Sequence, residues 1–264
     1  MSYSLSDSKE PPRLRVTELK KSFGKKMILH NVSFQLSKGS SLVIIGGSGS
    51  GKSVLIKCIS GLYSLDQGQI EVNGKVLSSR RNRIDVMQQR DFGFMFQNAA
   101  LFDSMNILEN VAFGAKHTLK MNHKAARDLA LEKLSLLGIS RRMGNLYPSD
   151  VSTGIRKVIA LARTLTIDPQ IILFDEPTTG LDPLMSKKID ELILQCIRSE
   201  SLTAVTITHD MSSAMRLGDK IAMLYNGTLI WSGKPDKLFK TDNELVKQFA
   251  NGYLDGPFSF TNSL

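Results

Sequence analysis

The sequence predicts an α/β protein in which a sheet-bearing core is interrupted by a block of helices. Three observations lead there. Ser41-Leu-Val-Ile-Ile45 is an apolar, β-branched run that stops abruptly at Gly46, the pattern of a buried strand feeding a glycine loop. Two more short apolar strands, Ile171–Phe174 and Ala204–Thr208, each end in charged or polar residues. From about Asn106 to Arg163, by contrast, β-branched alternation almost vanishes and the composition is helical.

In chain order, Leu14–Phe23 alternates apolar and polar residues like a strand and ends at Gly24; Ile28–Leu36 alternates again. Beyond the glycine loop, Leu55, Ile59 and Leu62 recur at helical spacing. Gln69–Leu77 reads as a hairpin, because Asn73-Gly74 supplies the positive φ angles of a type I′ turn. A second hairpin is expected around Asn226-Gly227. Ala125–Leu134 is the clearest helix of the middle block, and Pro183–Ser199 has helical composition between two apolar strands. The chain therefore divides into a flexible segment at 1–13, one folded domain at 14–250 with its helical part at about 100–165, and a Gly-, Pro- and Ser-bearing tail at 251–264.

Composition narrows the function. With 264 residues, 42% hydrophobic and 22% charged, the chain is ordinary globular protein, neither disordered nor fibrous. Two cysteines, Cys58 and Cys196, exclude a disulfide framework, and the absence of Cys-x-x-Cys argues against zinc or a redox pair; both fit a reducing cytoplasm. Met1–Glu10 is polar and does not resemble a secretory signal. The longest apolar runs fall well short of the ~20 residues of a spanning helix, so the chain is not expected to cross a membrane by itself. A net charge of +9 favours polyanions, whether nucleic acid, an anionic membrane face or a phosphate-rich ligand, without choosing among them.

The glycine loop does choose. Gly46-Gly47-Ser48-Gly49-Ser50-Gly51-Lys52-Ser53 matches G-x-x-x-x-G-K-[ST] between a predicted strand and a predicted helix. Glycines let the backbone curl its N–H groups toward phosphate oxygens, and the helix running onward from Lys52, Ser53 and Val54 adds its positive end. Lys52 suits the β- and γ-phosphates, and the Ser53 hydroxyl suits Mg²⁺.

Downstream, Asp175 and Glu176 close an apolar strand at its C-terminal edge, where ligands of open α/β sheets bind. Asp175 is the candidate for the Mg²⁺ shell, and Glu176 for orienting or deprotonating the attacking water. His209 ends another strand of what should be the same sheet, within reach of a γ-phosphate. Gln97 comes after the apolar run Phe92–Phe96, and its amide suits both metal and water.

In this order, the pieces resemble the ATP-binding cassette of an ABC transporter over nearly the whole chain. The resemblance implies a RecA-like phosphate-loop core, an antiparallel β subdomain and an inserted helical subdomain. It casts Gly46–Ser53 as the Walker A loop, Gln97 as the Q-loop glutamine, Asp175-Glu176 as Walker B, Asp182 as the D-loop aspartate and His209 as the switch histidine. Phe23 stands where the family sets an aromatic against adenine. The signature loop, usually Leu-Ser-Gly-Gly-Gln, is Val151-Ser152-Thr153-Gly154-Ile155: Ser152 and Gly154 match, and Thr153 replaces a glycine. The implied cofactors are ATP and Mg²⁺. The implied mechanism joins two copies head to tail around two ATP molecules and passes the motion to a membrane permease near Gln97–Phe102.

Finer matches point to one subfamily. Phe96–Asn106 with Glu109-Asn110-Val111, Tyr147–Ser152 and Gln248–Pro257 are similar to the Mla-type ATPases that work with MCE-domain proteins in bacterial phospholipid trafficking. That resemblance implies a permease, an MCE protein, a STAS-domain regulator on the helical insert, and a peripheral position on the cytoplasmic face of the inner membrane, against an anionic leaflet. The alternatives are a cassette for amino-acid, metal or drug cargo; one that binds ATP without turnover, raised by Thr153; and a nucleic-acid-linked ABC ATPase. The last is disfavoured because no heptads lie between Lys52 and Asp175, so no nucleic-acid partner is expected.

Overall fold

The computed structural model describes residues 11–79, 88–199 and 201–257. Most of the segment expected to be flexible at the N-terminus, and the end of the expected tail, lie outside the described residues. Two compact units emerge, one formed by 1–89 with 203–264 and the other by 90–202.

The first unit holds two sheets. Strands β1 (Leu14–Phe23) and β2 (Lys26–Leu36) form an antiparallel pair, joined by a turn at Gly24. β4 (Gln67–Val72) and β5 (Lys75–Ser79) extend it, giving the order β2-β1-β4-β5. Asn73 (φ 51°) and Gly74 (φ 77°) make the β4–β5 turn. Between β2 and β4 in sequence come β3 (Ser41–Ile45), buried along its whole length, and helix α1 (Lys52–Ile59). The helix ends before Leu62, which is exposed; Ser60 and Gly61 turn the chain away one turn earlier than the apolar spacing suggests.

The second unit begins with β6 (Phe92–Met95), succeeded by helices α2 (Ile107–His117), α3 (His123–Leu136) and α4 (Thr153–Leu165). β7 (Ile171–Asp175) pairs in parallel with β6, and α5 (Pro183–Ser199) closes the unit. α2 starts at a complete capping box: Asn106 accepts from the Glu109 N–H, and Glu109 accepts from the Asn106 N–H. Gly93 is required where β6 meets the end of α4, because a Cβ there would stand 2.5 Å from Thr164 Cγ2.

The chain then returns to the first unit with β8 (Thr203–Ile207), α6 (Met211–Leu217), β9 (Lys220–Tyr225), β10 (Thr228–Gly233) and α7 (Glu244–Asn251). β3 lies between β8 and β9, parallel to both, and β10 adds antiparallel beyond β9. All five residues of β3 and of β8 are buried, as strands covered on both faces require. The second Asn-Gly turn is also present, with Asn226 at φ 44° and Gly227 at φ 73°. No helix among the described residues is long and apolar enough to cross a membrane.

Candidate nucleotide-binding site

In the first unit, β3 delivers the glycine loop. Gly46 leaves the strand at φ 156° with its Cα packed against the sheet, and a Cβ there would fall 2.2 Å from the Leu224 carbonyl oxygen. Gly51 (φ 102°) sets the start of α1, whose first intrahelical bond runs from the Leu55 N–H to the Gly51 carbonyl at 2.9 Å. The amides of Lys52, Ser53 and Val54 precede that bond, so the first turn presents donors to a ligand. The loop is braced by the second hairpin: Gly227 N–H donates to the Ser50 carbonyl at 3.1 Å, and His30 N–H donates to the Gly227 carbonyl at 2.8 Å.

Lys52 is buried, and its Nζ donates to the carbonyls of Gly46 (2.8 Å) and Gly47 (3.0 Å). The ammonium thus lies inside the loop's own curve, where an anion would find it. Ser48, Gly49 and Ser53 are exposed, Gly47 and Val54 are half-buried, and Ser50 is buried. These positions fit phosphate: a glycine cradle, a helix N-terminus and a held cation converge on one edge of the sheet.

His209 stands at the same edge. Ile44 pairs with Ile207, and the Thr208 N–H donates to the Ile44 carbonyl at 3.2 Å, so the chains leave β3 and β8 side by side. His209 is exposed between β8 and α6, and its neighbour Asp210 caps α6 by accepting from the Ser212 N–H at 2.8 Å. Phe23 is 46% exposed at the end of β1, so it is no core aromatic. Its ring meets Tyr63 edge-on at 5.3 Å, and Lys21 Nζ lies 5.3 Å from its centroid. Sequence reasoning misses Tyr63, since a tyrosine just past a helix carries no motif.

The second unit carries the other candidates. Met95 pairs with Phe174, so the chains leaving β6 and β7 bring Gln97 and Glu176 out at one strand end. Gln97 is exposed, whereas Asp175 is 7% exposed at the last position of β7. Glu176 takes a left-handed φ of 51° and accepts a hydrogen bond at Oε2 from the Thr179 hydroxyl at 2.8 Å. Beneath it lies Lys157 of α4, 2% exposed, whose Nζ donates to the Thr179 carbonyl (2.9 Å) and the Glu176 carbonyl (3.4 Å). Burial lowers the Lys157 pKa from its ordinary value, opposed by the attraction of Glu176. Sequence reasoning misses this lysine too, because a lysine two residues past Ile155 reads as a solvated helix face.

The signature segment starts α4. Ser152 is its exposed N-cap, accepting from the Ile155 N–H at 3.5 Å. Gly154 packs on Met185, where a Cβ would meet Met185 Cγ at 2.7 Å. Thr153 is the first helical residue and exposed, a place that accepts a β-branched side chain. Asp182 caps α5: its Oδ1 accepts from the Met185 N–H at 2.9 Å.

A phosphate loop leaving a parallel strand, with acidic residues at the end of another apolar strand, is the pattern of a P-loop nucleoside triphosphatase. The chain belongs to the ABC transporter family, whose model matches residues 29–179. It is 35% identical to the chloroplastic protein TRIGALACTOSYLDIACYLGLYCEROL 3 of Arabidopsis thaliana, covering 91% of this chain and 74% of that one. It is 32% identical to the intermembrane phospholipid transport system ATP-binding protein MlaF of Haemophilus influenzae, covering 90% and 89%. The methionine import ATP-binding protein MetN of Campylobacter jejuni is 34% identical, covering 89% and 75%. The fold matches the ATP-binding cassette MJ0796 in a dimeric, post-hydrolysis state bound to ADP and Pi, with a TM-score of 0.74 and 29% identity over 84% of this chain and 98% of that one. The fold is that of an ABC ATPase cassette, and the activity is ATP hydrolysis coupled to transport.

Proposed function

We propose that this chain is the motor subunit of an ABC transporter that moves phospholipid between membranes, with an MCE-domain protein and a permease as partners. The observation that carries the site assignment is the pairing of chemistry with strand ends: Gly46 and His209 lie just past β3 and β8, and Gln97 and Glu176 just past β6 and β7. The glycine loop from Gly46 to Ser53, with Val54, binds the phosphates of ATP, and Phe23 lies against adenine. Ser53, Gln97 and Asp175 are all oxygen donors, a set that suits a hard divalent cation, and they are the residues to hold Mg²⁺. Mg²⁺ would neutralise charge on the phosphate oxygens. Glu176, set by its Thr179 bond, orients the attacking water and takes its proton; His209 reaches the γ-phosphate. Ser152, Gly154 and Asp182 serve the nucleotide held by a second copy, as the dimeric state of MJ0796 supports.

The permease docks on the helical unit. Phe102 is 40% exposed and meets Phe113 at a tilt of 44° with ring centroids 4.8 Å apart, and Phe113 meets His117 at 4.4 Å. Beside them lies a cavity of about 310 Å³ lined by Met105, Phe113, Lys116, His117, His123 and Arg127 among others. A STAS-domain regulator belongs on the same unit, and the net charge of +9 suits a peripheral place against an anionic inner-membrane leaflet. Phospholipid is the cargo favoured by the likeness to MlaF, and the likeness to MetN makes an amino acid the competing cargo. Mass spectrometry of ligand co-extracted with the native complex tests this: phospholipid is expected, and an amino acid or metal without phospholipid would overturn the assignment.

A further inference from the structure

Between Gln97 and the docking surface, the chain passes through two consecutive left-handed residues, Ala99 (φ 60°) and Ala100 (φ 47°). Residues with a Cβ enter that region against a steric penalty, and alanine has no side-chain oxygen with which to hold itself there, as asparagine or aspartate has. The hold comes from α4. Arg163 Nη2 donates to the Ala99 carbonyl at 2.8 Å and Nη1 to the Ala100 carbonyl at 2.7 Å, while its guanidinium carbon lies 5.9 Å from the Phe102 ring centroid. A planar fork offers two separate N–H donors, one to each of two neighbouring carbonyls, while its flat face can lie toward an aromatic ring. On the far side, Asn110 fixes the segment from Phe102 to Asn106: it accepts from the Phe102 N–H at 2.8 Å, and the two hydrogens of its Nδ2 are shared among the carbonyls of Phe102, Met105 and Asn106 at 3.0, 3.0 and 3.1 Å.

We infer that Arg163 is a positioning residue for coupling: by clasping the Ala99-Ala100 turn it presents Phe102 to the permease and ties that surface to α4. The helix that carries this clasp also carries Ser152 at its N-cap and Lys157 beneath Glu176, so Arg163 gives a shift of α4 a direct route to the Ala99-Ala100 turn, beside the packing of α4 on α2. The inference rests on the docking role proposed for the Phe102 surface.

Two measurements on four forms of the chain test it: wild type, Arg163→Met, Arg163→Lys, and Arg163→Met combined with Ala99→Gly and Ala100→Gly. Hydrogen exchange of the isolated chain over residues 97–102 should rise at least tenfold in Arg163→Met. In the complex purified with its permease, the stimulation of ATPase over the isolated chain should fall at least fivefold, with the isolated chain's own rate held within threefold. Arg163→Lys, which keeps charge but loses the fork, should fall between, and serves alone if Arg163→Met does not fold. Glycine accepts positive φ without penalty, so the triple variant should recover at least a third of the lost stimulation. Unchanged exchange, a proportional loss of both rates, or no recovery with glycine would each overturn the role of Arg163. If the wild-type complex shows no stimulation by the permease, the docking assignment fails instead, and exchange alone then decides whether Arg163 holds the turn.

Discussion

Lys52 and Cys58 sit six residues apart, and both are buried. Lys52 Nζ donates to two loop carbonyls at 2.8 and 3.0 Å, in the loop proposed above to bind phosphate. Lys52→Ala should lower ATP hydrolysis by about 100-fold or more, about 2.7 kcal/mol of transition-state stabilisation, measured as phosphate release. Cys58 is 0% exposed, and burial pushes its thiol up to about 12, with Lys21 opposing and Asp66 adding. The unfolded thiol titrates near its ordinary value of 9.0, so between about 9 and 12 the unfolded state sheds a proton that the folded state keeps. The contribution of Cys58 is therefore complete below pH 9 and is lost as pH rises toward 12. Melting temperatures from about pH 8 to 11 should fall more steeply for the wild type than for Cys58→Ala; parallel curves would contradict this.

At the scale of elements, α4 does the most joining. Its N-cap is Ser152, its middle supports the Glu176 turn, and its last turn clasps the loop after Gln97. Lys157→Met keeps the aliphatic stem but leaves the Glu176 and Thr179 carbonyls without this donor. The expected loss is about 2 kcal/mol of stability, seen as a lower denaturant midpoint, together with a roughly tenfold lower turnover as the Glu176 turn loosens. Turnover equal to wild type would show that Thr179 sets Glu176 unaided. Such links mark the limit of what the chain discloses before it folds. Asn73-Gly74 and Asn226-Gly227 are legible in sequence because the turn chemistry is local, and the Gly46–Ser53 loop because its spacing is itself the geometry. Lys157, Arg163 and Asn110 are not, since a cation or amide on an amphipathic helix declares neither its burial nor its partner. Those depend on carbonyls as far as 64 residues away, as Arg163 and Ala99 show. Leu62 errs the other way: its spacing fits α1, yet the helix stops at Ile59.

For the molecule as a whole, the two units divide the chemistry. The first holds the glycine loop, Phe23 and His209; the second holds Gln97, Asp175, Glu176, Ser152 to Gly154 and Phe102. Within the net charge of +9, Lys52 donates to the loop carbonyls of Gly46 and Gly47, and Arg163 to those of Ala99 and Ala100. On the function proposed above, hydrolysis at Glu176 drives phospholipid movement. Transfer of labelled phospholipid by the reconstituted complex tests it most directly, with ATP, without ATP, and with Glu176→Gln. Transfer should require ATP and fall by about 100-fold or more in Glu176→Gln while nucleotide still binds; ATP hydrolysis that proceeds with no lipid moved, or transfer that survives Glu176→Gln, would contradict it.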